Sequence, residues 1–180
     1  VKYIYSCSWD DKSFIKWDIS TGKILKRYIN TKTPVSSFSL SQDGKMVAAV
    51  CKDGVLLLRG NDLGLIKKIL LAEPALVQFS VDDKLIYIAS KEYQKEKLLI
   101  YNLASGKLTE QFKIIYSPEN MTIANGKVVF GNYKEIICYD LVTQKSIYNK
   151  TSDTFKITAA TLNHTGDKIA LGLENGIIKI

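Results

Sequence analysis

Along the chain, apolar residues come in runs of four to seven, some alternating with polar residues and some unbroken, rich in Val, Ile, Leu, Tyr and Phe. A two-residue period with no sustained helical period predicts β-strands throughout. Between the runs stand Asp43-Gly44, Asp53-Gly54, Ser105-Gly106, Asn125-Gly126, Gly166-Asp167 and Asn175-Gly176. Such pairs tolerate the positive backbone angles of tight hairpins, so sequential strands are expected to pair antiparallel.

The pattern repeats. In QDGK, VDDK, ANGK and TGDK the lysines Lys45, Lys84, Lys127 and Lys168 are separated by 39, 43 and 41 residues. A second landmark, the end of a third strand, falls at Trp17-Asp18, Arg59-Gly60, Tyr101-Asn102 and Tyr139-Asp140, at steps of 42, 42 and 38. The turn that follows, at Gly22, Gly64, Gly106 and Gln144, keeps those steps. A period near 40 on independent landmarks predicts four-stranded propeller blades.

The expected fold is therefore all-β: a partial β-propeller with about three full blades and two incomplete ones. All of 1–180 is expected to belong to one propeller domain, with blade segments at about 1–30, 31–72, 73–116, 117–151 and 152–180. In the first, Tyr3 to Arg27 supplies strands b, c and d; in the last, the chain runs from near Phe155 through strands a and b into GIIKI. Closed propellers need complete blades, so the chain is expected to be part of a longer protein.

Composition narrows the classes of function. Hydrophobic residues make up 46% of the chain, within the globular range, and no apolar run approaches the ~18 residues of a spanning helix. Cys7, Cys51 and Cys138 lie far apart inside strand patterns and read as buried thiols in a reducing compartment. A single histidine, His164, sits in a turn, and no catalytic or phosphate-cradling motif occurs. Asp10-Asp11 and Asp82-Asp83 read as turn residues that bond their own backbone. No enzyme, metal or cofactor is expected. A net charge of +7 points towards an acidic neighbour such as nucleic acid.

With these residues in view, the chain resembles the WD-repeat (WD40) family. The best matches are Ser8-Trp9-Asp10 through Lys16-Trp17-Asp18, Phe38-Ser39 to Asp43-Gly44, and Leu162 to Asp167 followed by Asn175-Gly176. The family's Gly-His pair is absent, so its buried Asp-His-Ser/Thr-Trp network cannot form in the usual way, and the blades are expected to lean on apolar packing. Within the family, the stretch around Tyr5 to Leu25 and that from Phe155 to Ile180 are similar to nucleolar members of the subcomplex that joins the U3 small nucleolar ribonucleoprotein (snoRNP) on nascent pre-ribosomal RNA.

In WD propellers the d–a and b–c loops share one face. The resemblance therefore places Lys12, Lys32, Lys52, Lys91, Lys95, Lys97 and Lys134 together, with Trp9 and Tyr93 among them, as a candidate interaction surface. Lysines among aromatics suit phosphates and unpaired bases. The competing reading is that these are solvating turn residues, since Glu92 and Glu96 interrupt the cluster. The lysines at 45, 84, 127 and 168 are read as turn residues only.

The function the resemblance implies is a non-enzymatic scaffold in small-ribosomal-subunit biogenesis and pre-rRNA processing, located in the nucleus and nucleolus. Its partners would be other proteins of a large assembly, with pre-rRNA and its snoRNP as the RNA contact, no membrane and no small-molecule substrate. The alternative is a cytoplasmic adaptor in a trafficking, ubiquitin-ligase or cytoskeletal complex with no nucleic-acid role.

Overall fold

A computed structural model describes residues 2–8, 10–29, 33–92, 96–114, 118–152 and 155–180. Among them every regular element is a strand, and no helix is long and apolar enough to cross a membrane. The strands form five antiparallel sheets, each in sequence order. The first holds β1 (Tyr3–Cys7), β2 (Ser13–Asp18) and β3 (Ile24–Ile29). The second holds β4 (Val35–Leu40), β5 (Met46–Cys51), β6 (Gly54–Arg59) and β7 (Leu65–Leu70). The third holds β8 (Pro74–Phe79), β9 (Leu85–Ser90), β10 (Lys97–Asn102) and β11 (Leu108–Lys113). The fourth holds β12 (Asn120–Ala124), β13 (Lys127–Gly131), β14 (Glu135–Asp140) and β15 (Ser146–Thr151), and the fifth β16 (Ile157–Leu162), β17 (Ile169–Leu173) and β18 (Ile178–Lys179). These are propeller blades, three of four strands and two of three, as the repeat predicted.

The chain divides into two compact units, Val1–Ile88 and Ala89–Ile180, with the boundary inside β9. In the first unit the core gathers around Phe14, whose ring stacks on Tyr5 at 5.8 Å and meets Phe38 edge-on at 5.0 Å. Val35, Val47, Leu56 and Leu58 close over it, leaving Phe14 fully buried. Burying such a ring contributes about 1.5–3 kcal/mol. In the second unit Val129, Ile136 and Cys138 of the fourth blade pack with Ile157, Leu162 and Leu173 of the fifth, while Tyr139 receives Phe112 at 4.8 Å and Phe130 at 6.2 Å.

Strand chemistry explains the layering. The third strand of the second blade, GVLLLR, is apolar on both faces and buried but for its last residue, whereas the outer strand β7, LIKKIL, is mostly exposed. Exposed outer strands β3, β7 and β15 carry lysines, which discourages pairing with foreign edges. Part of the positive charge thus has a purely structural reason.

The turns repeat as the strands do. After each third strand the chain closes the same loop: Gly22 N–H donates to Asp18, Leu63 N–H to Arg59, Gly106 N–H to Asn102 and Gln144 N–H to Asp140, each at 2.9–3.0 Å. The residue with positive φ is Gly22, Leu63, Gly106 and Gln144. In the second blade this is Leu63 and not the Gly64 that the period selects. At Gly64 a Cβ would lie 1.8 Å from the Arg59 guanidinium, the end of a flexible and half-exposed side chain that can swing aside.

The expected reliance on apolar packing is only part of the cohesion. Trp17 Nε1 donates to Ser6 Oγ at 2.9 Å, so a serine–tryptophan bond persists without any histidine. In the fourth blade the buried Tyr139 hydroxyl has no such partner. Cys51 and Cys138 are buried thiols outside any disulfide and Cys7 is half-buried, in keeping with the sequence reading.

Candidate functional site

Antiparallel order puts the b–c turn of every blade at one end of its sheet and the a–b and c–d turns at the other. Lys12, at φ 55, closes the β1–β2 loop and is half-buried. Lys52 is exposed in the two-residue β5–β6 turn, beside Gly54, where a Cβ would meet the Ile69 carbonyl at 2.2 Å. Lys91 follows β9 and is exposed, Lys97 opens β10 half-buried, and Lys134 is exposed in the β13–β14 turn, where Asn132 Oδ1 accepts both Lys134 N–H and Glu135 N–H at 2.8 Å. Each lysine therefore occupies the b–c end of its own blade. Trp9, Lys32, Tyr93 and Lys95 lie outside the described residues.

Lys12, Lys52, Lys91 and Lys134 make no ion pair among the described residues, so their charges stay available. The neighbouring carboxylate Asp53 is spent on Lys68, at 2.6 Å. His164 is exposed in its turn, and among the described residues no three His, Cys, Asp or Glu side chains gather as a metal-holding group.

The opposite end holds what sequence reasoning missed. Lys16, in the alternating strand SFIKWD, is only 5% exposed. Its Nζ donates to the carbonyls of Gly60 (2.8 Å) and Asn61 (3.2 Å) in the next blade and lies 3.9 Å above the Tyr3 ring. Burial pushes its pKa down, opposed by the charge of Asp62. Tyr5 hydroxyl donates to the same Gly60 carbonyl at 2.9 Å.

Asp83 departs from its expected role. It holds positive φ in the a–b turn, at the place Gly44 and Gly166 hold in theirs, and its carboxylate accepts Gln42 N–H at 2.6 Å and Asp43 N–H at 3.0 Å in the preceding blade. Its partner Asp82 does bond locally, to Ser80 Oγ at 2.7 Å. In the second unit Asn125 Nδ2 donates to Thr165 O at 3.0 Å and Lys127 Nζ to Gly166 O at 2.7 Å. These bonds span 39 to 45 residues, one repeat. Searching for polar residues one period apart is the signal that finds them.

Lys127 is thus more than a turn residue. With Lys150, Lys168 and Lys179 it borders a groove of about 800 Å³ between the fourth and fifth blades, and Lys45 and Lys84, paired at 3.1 and 3.3 Å with Asp43 and Asp82, remain the simple turn lysines expected.

No protein-family model matches the chain, and no curated protein matches it in sequence. Its structure is similar to hydrazine synthase of Kuenenia stuttgartiensis, with a TM-score of 0.82 over 96% of this chain and 52% of that one at 14% identity. The chain spans about half the length of that protein, and the likeness concerns the fold alone.

Proposed function

We propose that the chain is a non-enzymatic interaction scaffold of WD-repeat type, working among the proteins of small-ribosomal-subunit assembly in the nucleolus and touching pre-ribosomal RNA through its b–c ends. One observation carries this reading: unpaired lysines recur at the b–c end of successive blades, while the side-chain bonds that join blade to blade lie at the other end. The b–c turn lysines are thereby left available to partners. The net charge of +7 and the resemblance of the terminal stretches to nucleolar WD-repeat proteins lend further support. Turn residues on a rigid sheet scaffold are common carriers of binding.

The test is RNA association of the chain carrying Lys52→Glu, Lys91→Glu and Lys134→Glu, followed across a salt series. Each lost phosphate contact should reduce the log–log salt slope by about 0.7–0.9. Affinity and slope unchanged from the parent chain would remove RNA from the reading. Sedimentation of the tagged protein from cells with and without ribonuclease completes the test. Co-migration with large ribonuclease-sensitive particles supports assembly of the subunit, and a small nuclease-resistant complex refutes it in favour of the adaptor.

A further inference from the structure

We propose that the groove between the fourth and fifth blades is a docking site for an acidic peptide segment that carries apolar side chains. The groove, about 800 Å³, has the size of an ordinary binding cleft. Its rim bears Lys127, Lys150, Lys168 and Lys179 against a single carboxylate, Asp167. That carboxylate is engaged locally, accepting from Asn163 Nδ2 at 2.7 Å and from the Thr165 hydroxyl, and these bonds, Thr165 first, hold it below the usual carboxylate range. Lys150, Lys168 and Lys179 make no ion pair within 4 Å among the described residues, and four ammonium groups outnumber the one carboxylate, so the rim carries a net positive charge.

Between the lysines the lining is apolar. Ile147 is 51% exposed, beside Tyr148, Leu162, Ile169 and Leu171. Apolar surface left in water beside free ammonium groups is complementary to a segment that supplies both carboxylates and apolar anchors. A nucleic acid would satisfy the rim but not the floor, since base stacking needs aromatic platforms and Tyr148 is the one aromatic lining residue. The bond from Lys127 Nζ to Gly166 O joins the two walls and holds the cleft's width.

The experiment is fluorescence anisotropy of the full chain with a fluorescein-labelled peptide alternating glutamate and leucine, and separately with labelled oligouridylate. The peptide is expected to bind with a Kd in the micromolar range and to weaken as salt rises. Exposed ion pairs each contribute about two- to threefold, so Lys150→Glu, Lys168→Glu and Lys179→Glu together should weaken it about tenfold or more. Ile147→Ser, at an exposed position that does not endanger folding, should weaken it several-fold. Reversing Lys52, Lys91 and Lys134 should leave peptide binding unchanged, which separates this site from the b–c ends. The proposal is overturned if the peptide fails to bind, if the rim reversal changes its Kd less than twofold, or if oligouridylate binds more tightly and loses that binding on rim reversal.

Discussion

Replacing Gly60 by alanine tests how the first two blades are joined. Gly60 N–H donates to Lys45 O at 2.7 Å, and its carbonyl accepts both Tyr5 hydroxyl and Lys16 Nζ. A Cβ there would sit 2.1 Å from the Gly44 carbonyl oxygen and 3.1 Å from two backbone carbons, with no flexible side chain to yield. Restoring an ordinary contact moves the turn by about 1 Å or more, which carries the bond to Lys45 beyond hydrogen-bonding reach. That bond and the one from Tyr5 are worth about 1 kcal/mol each, and the charged bond from Lys16 about 1.5. Alanine returns about 0.5 kcal/mol by stiffening the unfolded chain. The expected loss is about 3 kcal/mol, or roughly 6–12 °C in Tm for a chain of this size. Urea melts followed by circular dichroism give the number. Gly44→Ala is the control: its Cβ would meet nothing within 4 Å, so only its φ of 69° is penalised, at about 1 kcal/mol. Gly60→Ala within about 0.5 kcal/mol of the parent, or no worse than Gly44→Ala, would refute the convergence described at this turn.

Two further outcomes are expected. Asp83→Gly keeps the turn's φ but removes the carboxylate that grips Gln42 and Asp43, and should cost about 1–2 kcal/mol in the same urea assay; Asp83→Asn, which retains one oxygen, should cost less, and parity of both with the parent would mean the contact is idle. Asp62 is pulled down to about 2 by the Arg59 guanidinium and then by Gly64 N–H, so its contribution to stability is full above the ordinary value of 3.8 and is lost as pH falls from there towards 2. Carboxyl-carbon NMR should show that low midpoint and Arg59→Gln should raise it; a midpoint near 3.8 in the parent chain would contradict the geometry.

The strands and blade order were readable because alternation and turn chemistry are local: Asp43-Gly44 and Asn125-Gly126 declare their hairpins within a few residues. What lay one period away was hidden. Lys16 looks like the polar partner of an alternating strand, and only placement of the second blade beside it turns it into a buried donor to Gly60. Asp83 reads as a turn former and is one, yet its carboxylate is spent across the sheet boundary. The period places the second blade's turn at Gly64 while Leu63 takes the positive φ, because a period fixes a turn's place only to within a residue. Among the candidate surface residues, the resemblance placed Lys12, Lys52, Lys91, Lys97 and Lys134 by loop type. The groove lysines escaped notice because Lys150 and Lys179 belong to strands, and strand residues of different blades meet only in three dimensions.

The contacts from Lys16, Asp83, Asn125 and Lys127 share a property of their receiving side: each ends on a peptide group, the C=O of Gly60, Asn61, Thr165 or Gly166, or the N–H of Gln42 or Asp43. Every residue supplies that carbonyl, and every residue but proline that amide. Half of each bond is thus written in the backbone and asks for no particular side chain at Gln42, Asp43, Asn61 or Thr165, while Gly60 and Gly166 are held by close approach and backbone angle. At those four positions the letters can change while the blades stay joined, so the sequence can drift there while the shape stays legible.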